Sequence, residues 1–568
     1  MVGHNKYVGW VASAVISFSV AGEVAAQRPP SMAARSTVYA PRGVIATSQP
    51  LASAAGLQVL RNGGNAIDAA VAAAAVLTVV EPHMVGLGGD LFAMVWSARD
   101  GRLYGLNASG RAGALMTREA LLARELERVP SRGAEAITVP GALSGWAALL
   151  ERYGTLTLAQ ALAPAIHYAE HGFPVSPLIA GQWAAQTNAL RRDAGARATY
   201  LIAGEHAPVA GEWFRNPDYA RTLQEIAARG PAHLYGGELG RRVAEHVQAA
   251  GGFLTVQDFA SHEATWVEPV SVPYKGYRLW ELPPNGQGIA ALEMLRLLEG
   301  YDLKAMGHNT TEYLHTLIEA KKLAYADIEA YVGDPAHMQV TPEQLLSDRY
   351  IQTRRALIDP KRAAERVEPG EAVTASETIY LTVADEYGNM ISFINSLYSA
   401  FGSAVVVPGT GFALQNRGSG FTLEEGQANT VAPGKRPFHT IIPAFVTRTS
   451  QPAGVSRESA GEEPWLSFGV MGGAMQPQGH VQMLLNLLEF DMDLQQAADA
   501  ARFRHLSGPR VAIEPSVADD VRQALVALGH VLVDESEVAF GGAQLIMKLP
   551  RGWAAASDPR KDGLAIGY

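Results

Sequence analysis

No cysteine occurs among the 568 residues. Disulfides, thiolate metal sites and a cysteine nucleophile are therefore excluded. Charge is sparse as well: Asp, Glu, Lys and Arg make up 18% of the chain, with a net charge of −10. No run of five basic residues interrupts that balance, which argues against nucleic acid and anionic membranes as partners. Beyond the N-terminus no apolar run reaches the ~18 residues needed to span a bilayer. His83, His315 and His439 lie in informative stretches, but none sits in an H-E-x-x-H zinc motif, so no metal is expected. Internal repeats and low-complexity tracts are missing too. What is there is 48% hydrophobic. That suits a globular enzyme longer than one ordinary domain of ~100–200 residues.

The N-terminus carries its own signal. Lys6 precedes an apolar stretch over 7–22, and Val24-Ala25-Ala26 supplies small residues before Gln27. This predicts a secretory signal over 1–26, cut after Ala26, and a secreted or periplasmic mature protein. A membrane anchor is the rival. The stretch is short and carries Ser13, Ser17 and Ser19, so cleavage is favoured.

Along the rest of the chain, Gly43 to Thr47 reads as a strand. Ser48 is placed to cap a helix over 50–60 with proline in its first turn. Asn65 caps the next helix, 66–80, which is apolar nearly all round and so buried. Gly86-Leu87-Gly88-Gly89 turns into a strand over 91–96, the wrong order for a dinucleotide fingerprint, so no nucleotide cofactor is expected. Residues 140–350 are mostly helical in pattern, with helices over 142–153, 157–171, 219–229, 239–249, 288–300 and 311–332. A strand pair is expected over 267–272 and 277–281. After a polar stretch, 361–377, come strands over 378–384, 390–394, 411–414, 442–446 and 465–470, then helices over 480–489 and 494–502. Asp493 is a plausible cap for the last. Strands near both ends with helices between and around them suggest a layered α+β fold.

The polar stretch feeds Ser376-Glu377-Thr378-Ile379-Tyr380-Leu381-Thr382-Val383-Ala384-Asp385, then a turn at Gly388-Asn389 and a second β-branched run. That is a loop entering a β-hairpin. A lone threonine in a strand is normally just a strand residue. One that opens a strand after a polar loop can also become a new N-terminus. Its hydroxyl is then the nucleophile and its freed α-amine, with a reference pKa of ~7.7–8.0, is the base.

In order along the chain, several motifs resemble the γ-glutamyltransferase family of N-terminal-nucleophile hydrolases. They are Asn62-Gly63-Gly64-Asn65-Ala66-Ile67-Asp68, Gly86-Leu87-Gly88-Gly89, Tyr325-Ala326-Asp327 with Gly333-Asp334-Pro335, and Thr378 with Asp385 and Gly388-Asn389. Phe401-Gly402, Pro433-Gly434-Lys435-Arg436-Pro437, Gly472-Gly473 and Ser557-Asp558-Pro559-Arg560 complete the series. The resemblance implies an αββα sandwich built from two fragments of one self-cleaved chain. The large fragment would run over 27–377 and the small one over 378–568, the two associating as a heterodimer. Cleavage would fall between Glu377 and Thr378. Thr378 is the implied nucleophile, Ser396 the hydroxyl that orients it, and Gly472 and Gly473 the oxyanion donors.

The positions implied to hold the acyl group have changed. Where the family places the Asn, Gln and Asp that hold the γ-glutamyl α-amino group, this chain has Tyr398, Arg417 and Gly420. The family's serine pair becomes His439-Thr440. The family's carboxylate-binding arginine falls at Ser109, with Arg111 two residues on. The stretch 421–433 is too short for the long lid of many relatives, which favours water or bulky leaving groups. By pocket residues the chain resembles the cephalosporin-acylase-like branch. The expectation is a self-processing amidohydrolase that takes a small amide with a glutaryl or oxo-acyl group, with no cofactor, and with Arg111 or Arg417 on the substrate carboxylate. The alternatives are a true glutathione hydrolase with a rebuilt pocket, and a non-catalytic binding protein on the same fold.

Overall fold

Fifteen residues, Ala66–Val80, form a helix in which every side chain is buried. Its start is fixed by a capping box: Asn65 Oδ1 accepts from the Ile67 and Asp68 N–H groups, and Asp68 accepts from Asn65 N–H. Asp68 also takes hydrogen bonds from Thr155 and Leu156 N–H. The asparagine-glycine motif is thus a helix start tied to a neighbouring loop. The helix packs against a strand hairpin, Glu377–Ala384 and Met390–Tyr398, that carries Thr378.

The computed structural model describes residues 35–367, 377–450 and 461–568. The signal segment 1–26 and most of the polar linker lie outside these. Two seven-stranded sheets face each other. One runs, in spatial order, Leu564–Gly567, Val44–Thr47, Glu377–Ala384, Met390–Tyr398, Asp90–Ser97, Arg102–Ala108, Thr265–Val267. The other runs Val38–Ala40, Trp553–Ser557, Gly542–Lys548, Gly461–Met471, Ala444–Ser450, Tyr277–Glu281, Val270–Tyr274. Every neighbouring pair within them is antiparallel. Pro50–Arg61 and Ala66–Val80 cover the first sheet; Gly288–Leu298 and Met475–Leu488 cover the second, with Thr311–Tyr331 packed behind. This is the four-layer αββα sandwich. Each sheet has its own apolar cluster, one around Ile45, Val71 and Phe393, the other around Leu292, Leu466 and Val481.

The facing sheets are stitched by polar contacts as well. Thr382 Oγ1 lies 2.7 Å from Ser467 Oγ. A Cβ on Gly469 would strike the Tyr380 ring. Side chains two apart share a strand face, so the contacts 382/467 and 380/469 run along the hairpin strand toward Thr378 and along Gly461–Met471 toward the Gly472-Gly473 turn, up to the register shift at Thr378.

The structure corrects several local expectations. Residues 411–414 form no strand; they make only isolated bridges, Ala413 with Val406 and Leu414 with Gly88. The expected strand over 267–272 is two strands in different sheets, Thr265–Val267 and Val270–Tyr274. The cap of the first helix is Gln49, whose side chain accepts from Leu51 N–H; Ser48 donates instead to Glu81.

Candidate active site

Thr378 is fully buried, and its Oγ1 donates to Ser396 Oγ at 3.3 Å. Ser396 Oγ in turn accepts from Tyr398 N–H at 2.8 Å. Register explains why these meet. Glu377 pairs with Tyr398 but Ile379 with Asn395, so the partner strand holds one extra residue opposite Thr378. Such bulges bend a strand and re-aim its side chains. Tyr398, at φ 81, lies in the left-handed region, as do Phe401 and Ala404 just beyond. Three non-glycine residues held there are strained positions, which cluster at sites and are kept by the surrounding structure. Gly89 lets the Gly86–Gly89 turn press against this strand, since a Cβ there would collide with the Ser396 carbonyl.

Asp385, at the hairpin's far end, accepts from Tyr387, Asn389 and Ala66 N–H and from the Asn389 amide. It locks the hairpin turn onto the start of the buried helix. Burial pushes its carboxyl up, against those hydrogen bonds.

Gly472 (φ 117) and Gly473 (φ 60) turn from the strand Gly461–Met471 into the helix Met475–Leu488. Among the described residues neither N–H is given to another group. Their carbonyls are bound, Gly472 O by Met475 N–H and Gly473 O by Gln476 N–H, both at 3.0 Å. N–H groups left without an acceptor at a strand-to-helix turn are of the kind that can stabilise a developing oxyanion.

The residues expected to hold the acyl group follow from Ser396 through Tyr398. Arg417 is fully buried and stacks on Tyr398, its guanidinium carbon 4.7 Å from the ring centroid. Its Nη1 donates to Thr440 Oγ1 at 3.0 Å, while Nε and Nη2 have no acceptor among the described residues. Burial lowers its pKa to about 10, against the pull of Asp90 and Tyr398. His439 is held by Asp90 Oδ2 at Nε2 (2.7 Å) and Pro437 O at Nδ1 (2.8 Å), and stacks on Phe92. Burial and the nearby Arg417 lower its pKa, against Asp90. Asp90 is saturated: Oδ1 accepts from Gly110 and Gly141 N–H and the Gln415 amide. Ser109 Oγ is tied to Asn107.

The structure brings Thr378, Ser396, Tyr398, Arg417 and Thr440 into one chain of contacts, with His439 adjoining Thr440 in sequence. Arg111 is elsewhere engaged: 45% of its side chain is exposed, and Nη1 meets Asp334 at 3.3 Å and Gly434 O at 3.0 Å. Asp90, Asn285, which donates to Pro437 O, and Gln287 were not singled out by sequence. Their residue types gave no signal without the loop that brings 437–440 beside them. Over 421–433 the loop closes on itself through Thr422 and Thr430.

One cluster of metal-ligating type is found among the described residues: His315, Glu319 and His530, buried, with ligand atoms within 4.8 Å. Lys322 Nζ, 2.7 Å from Glu319, already supplies the cation there. The sequence reading also passes over His167 and His171, four apart and stacked on an exposed helix face, for which no third such ligand is grouped among the described residues.

The family model for gamma-glutamyltranspeptidase matches residues 52–568. The chain belongs to the γ-glutamyltranspeptidase family. It is similar to the glutathione hydrolase-like YwrD proenzyme of Bacillus subtilis, 37% identical over 94% of this chain and 99% of that one. It is also similar to the acylase ACY 1 proenzyme of a Pseudomonas strain, SE83, 36% identical over 92% and 93%. The crystal structure of a cephalosporin acylase from Bacillus halodurans superposes with a TM-score of 0.89 at 44% identity, covering 96% of this chain and 99% of that one. The chain is thus an N-terminal-nucleophile hydrolase of the self-processing, γ-glutamyltransferase-like amidohydrolase and acylase kind. Among the described residues no helix is long and apolar enough to cross a membrane.

Proposed function

We propose that this enzyme cuts itself between Glu377 and Thr378 and then hydrolyses amides whose acyl group ends in a carboxylate, of the glutaryl or oxo-acyl kind. The observation that carries this reading is Arg417: a buried guanidinium with two donors that have no acceptor among the described residues. An uncompensated buried cation costs several kcal/mol, and a planar fork of N–H donors suits a carboxylate above other acceptors. A γ-glutamyl group would bring an α-ammonium as well. Gly420 offers it no acid, and Asp90 is already occupied. An ammonium beside Arg417 would lose its hydration without return.

The chemistry follows from the same residues. The α-amine of Thr378, freed by cleavage, takes the Oγ1 proton as Oγ1 attacks the substrate carbonyl. Ser396, hydrogen-bonded to Oγ1, orients it. The oxyanion is received by Gly472 and Gly473 N–H. The protonated amine passes its proton to the leaving nitrogen, the C–N bond breaks, and an ester on Thr378 remains. Water, deprotonated by the same amine, attacks the ester, releasing the diacid and restoring Thr378.

The two fragments of this scheme stay together as a heterodimer. The strand that begins at Thr378 pairs with Val44–Thr47 on one side, and Met390–Tyr398 pairs with Asp90–Ser97. Residues 1–26 act as an export signal, so the secreted enzyme begins at Gln27; N-terminal sequencing of protein from the medium or periplasm checks this.

The test is product inhibition. Glutarate should compete with substrate for the wild-type site far better than L-glutamate does, and Arg417→Gln should abolish the difference. Equal inhibition by both, unchanged in the variant, would refute the assignment of Arg417.

A further inference from the structure

The oxyanion turn and the acyl pocket belong to different segments, and one buried side chain joins them. Gln287, 1% exposed, follows the strand Tyr277–Glu281 and opens the helix Gly288–Leu298. Its amide nitrogen donates twice, to Thr440 O at 2.5 Å and to Gly473 O at 2.8 Å. Its backbone is fixed too, since Gln287 N–H donates to His439 O and His439 N–H to Asn285 O. The pocket side of this link is Thr440, whose hydroxyl accepts from Arg417.

The other carbonyls of the turn are also held from behind. Tyr325 Oη donates to Ala474 O, as does the Gln478 amide at 3.0 Å. Gln476 Oε1 accepts from Ile442 N–H at 2.9 Å, a second tie between the 439–442 segment and the turn. A peptide plane whose carbonyl is held cannot rotate, and its N–H, trans to that carbonyl, is fixed with it. The Gly473 carbonyl shares its plane with Ala474 N–H, so Gln287 fixes the plane that follows Gly473 and limits the rotation of that residue; the plane that carries Gly473 N–H is held by Met475 N–H on Gly472 O.

We infer that Gln287 is a positioning residue that ties acyl-group recognition to the oxyanion turn. A carboxylate drawn onto Arg417 bears on Thr440, and the Gln287 amide carries that restraint to Gly473. The inference rests on the proposed roles of Arg417 and the glycine pair. It separates substrate features that raise kcat from those that only lower KM.

The experiment compares Gln287→Glu and Gln287→Met with wild type. Processed enzyme is quantified on gels and assayed with glutaryl-p-nitroanilide and valeryl-p-nitroanilide. A glutamate buried between two carbonyls takes up a proton and has one hydrogen to donate, so it can hold only one of them, while methionine keeps the volume with no donor; a packing role therefore leaves Gln287→Met near wild type whereas a donor role does not. Loss of a whole oxyanion donor costs ~10²–10³-fold in kcat. Loosening the turn should therefore lower kcat by ~10-fold or more in both variants, with KM for the valeryl substrate changed less than ~3-fold. In wild type the distal carboxylate should raise kcat; in both variants that gain should shrink while its effect on KM persists. A Gln287→Met enzyme within 2-fold of wild-type kcat would overturn the inference. If wild type gains nothing from the distal carboxylate, the reading of Arg417 fails, yet the fall in kcat on valeryl-p-nitroanilide still tests the positioning role. Tyr325→Phe, which removes one hydroxyl from the same turn, covers the case in which neither Gln287 variant matures. Its kcat should fall ~3-fold or more at constant KM, and no fall would count against the inference.

Discussion

Among the described residues two arginines are buried with almost no exposed surface, Arg417 and Arg502, and their surroundings are opposite. Arg502 donates to Asp558 Oδ2, Phe540 O and Ala498 O. Asp558 is further held by Arg560, which also pairs with Glu514. Burial pushes the Asp558 carboxyl up, but the two arginines and two backbone N–H groups outweigh it and hold it below the usual range. Among the described residues Arg417 has one hydrogen-bond partner, the neutral Thr440, stacks on Tyr398 and makes no ion pair, though Asp90 pulls on its charge. A buried cation with its counter-ion in place belongs to the framework. One whose counter-ion is missing points to a ligand that brings the charge.

The largest effect expected bears on the framework both arginines serve. Thr378→Ala should remain one chain on a gel and show no hydrolysis. Wild type should give two fragments, the smaller beginning Thr378-Ile379-Tyr380-Leu381. A mature wild-type enzyme that is active as a single chain would break the scheme.

The arginine pair comes next. Asp558→Ala leaves Arg502 buried without its carboxylate, and removing one partner of a buried pair costs ~3–5 kcal/mol. Its urea midpoint should fall accordingly. Arg417→Gln removes a buried charge that has no counter-ion, so its midpoint should hold or rise. Its kcat/KM on glutaryl-p-nitroanilide should fall ~100-fold, as expected when a site built for a polar group loses that contact. If Arg417→Gln destabilises as much as Asp558→Ala, the two environments are alike and the comparison fails.

The smallest effect is in acid. His83 is fully buried; burial lowers its pKa to about 4, with only the Gln182 side chain opposing. Unfolded, it titrates near 6.5. Between those values the unfolded chain binds a proton that the folded chain does not, so stability falls as pH drops through 6.5 toward 4. The slope from this group approaches about 1.4 kcal/mol per pH unit. His83→Gln should flatten the pH 6.5 to 4 stability profile by up to that slope; an unchanged profile would show that His83 is solvated.

Much of this architecture is written locally. The helix Ala142–Tyr153 and the turn at Asp385 to Asn389 follow from periodicity and turn residues. Other parts depend on distant partners. Phe412-Ala413-Leu414 reads as a strand because it is apolar, but its backbone makes isolated bridges to Gly88 and Val406 and bonds to Val405, Ser403 and Tyr200 instead of a ladder. The helix after the oxyanion turn starts at Met475, five residues before the expected start at His480. Pro477 and Gly479 hide it, although proline is tolerated in a first turn where no intrahelical N–H bond is due. The roles proposed for Thr378 and the glycine pair rest on ordered motifs in the sequence. Which way Arg417 points, and which carbonyls Gln287 holds, were not: each is set by side chains a hundred or more residues away or by the turn of a short loop.

The central claim is that the acyl pocket accepts a carboxylate and rejects an ammonium. The direct measurement is kcat/KM for glutaryl-p-nitroanilide against γ-glutamyl-p-nitroanilide, on processed enzyme at one pH. The two substrates differ by the α-amino group alone. The account predicts that the glutaryl compound is used at least as well as the γ-glutamyl one. A preference of ~100-fold or more for γ-glutamyl, well within what a polar site can achieve, would contradict it and identify a glutathione hydrolase with a rebuilt pocket.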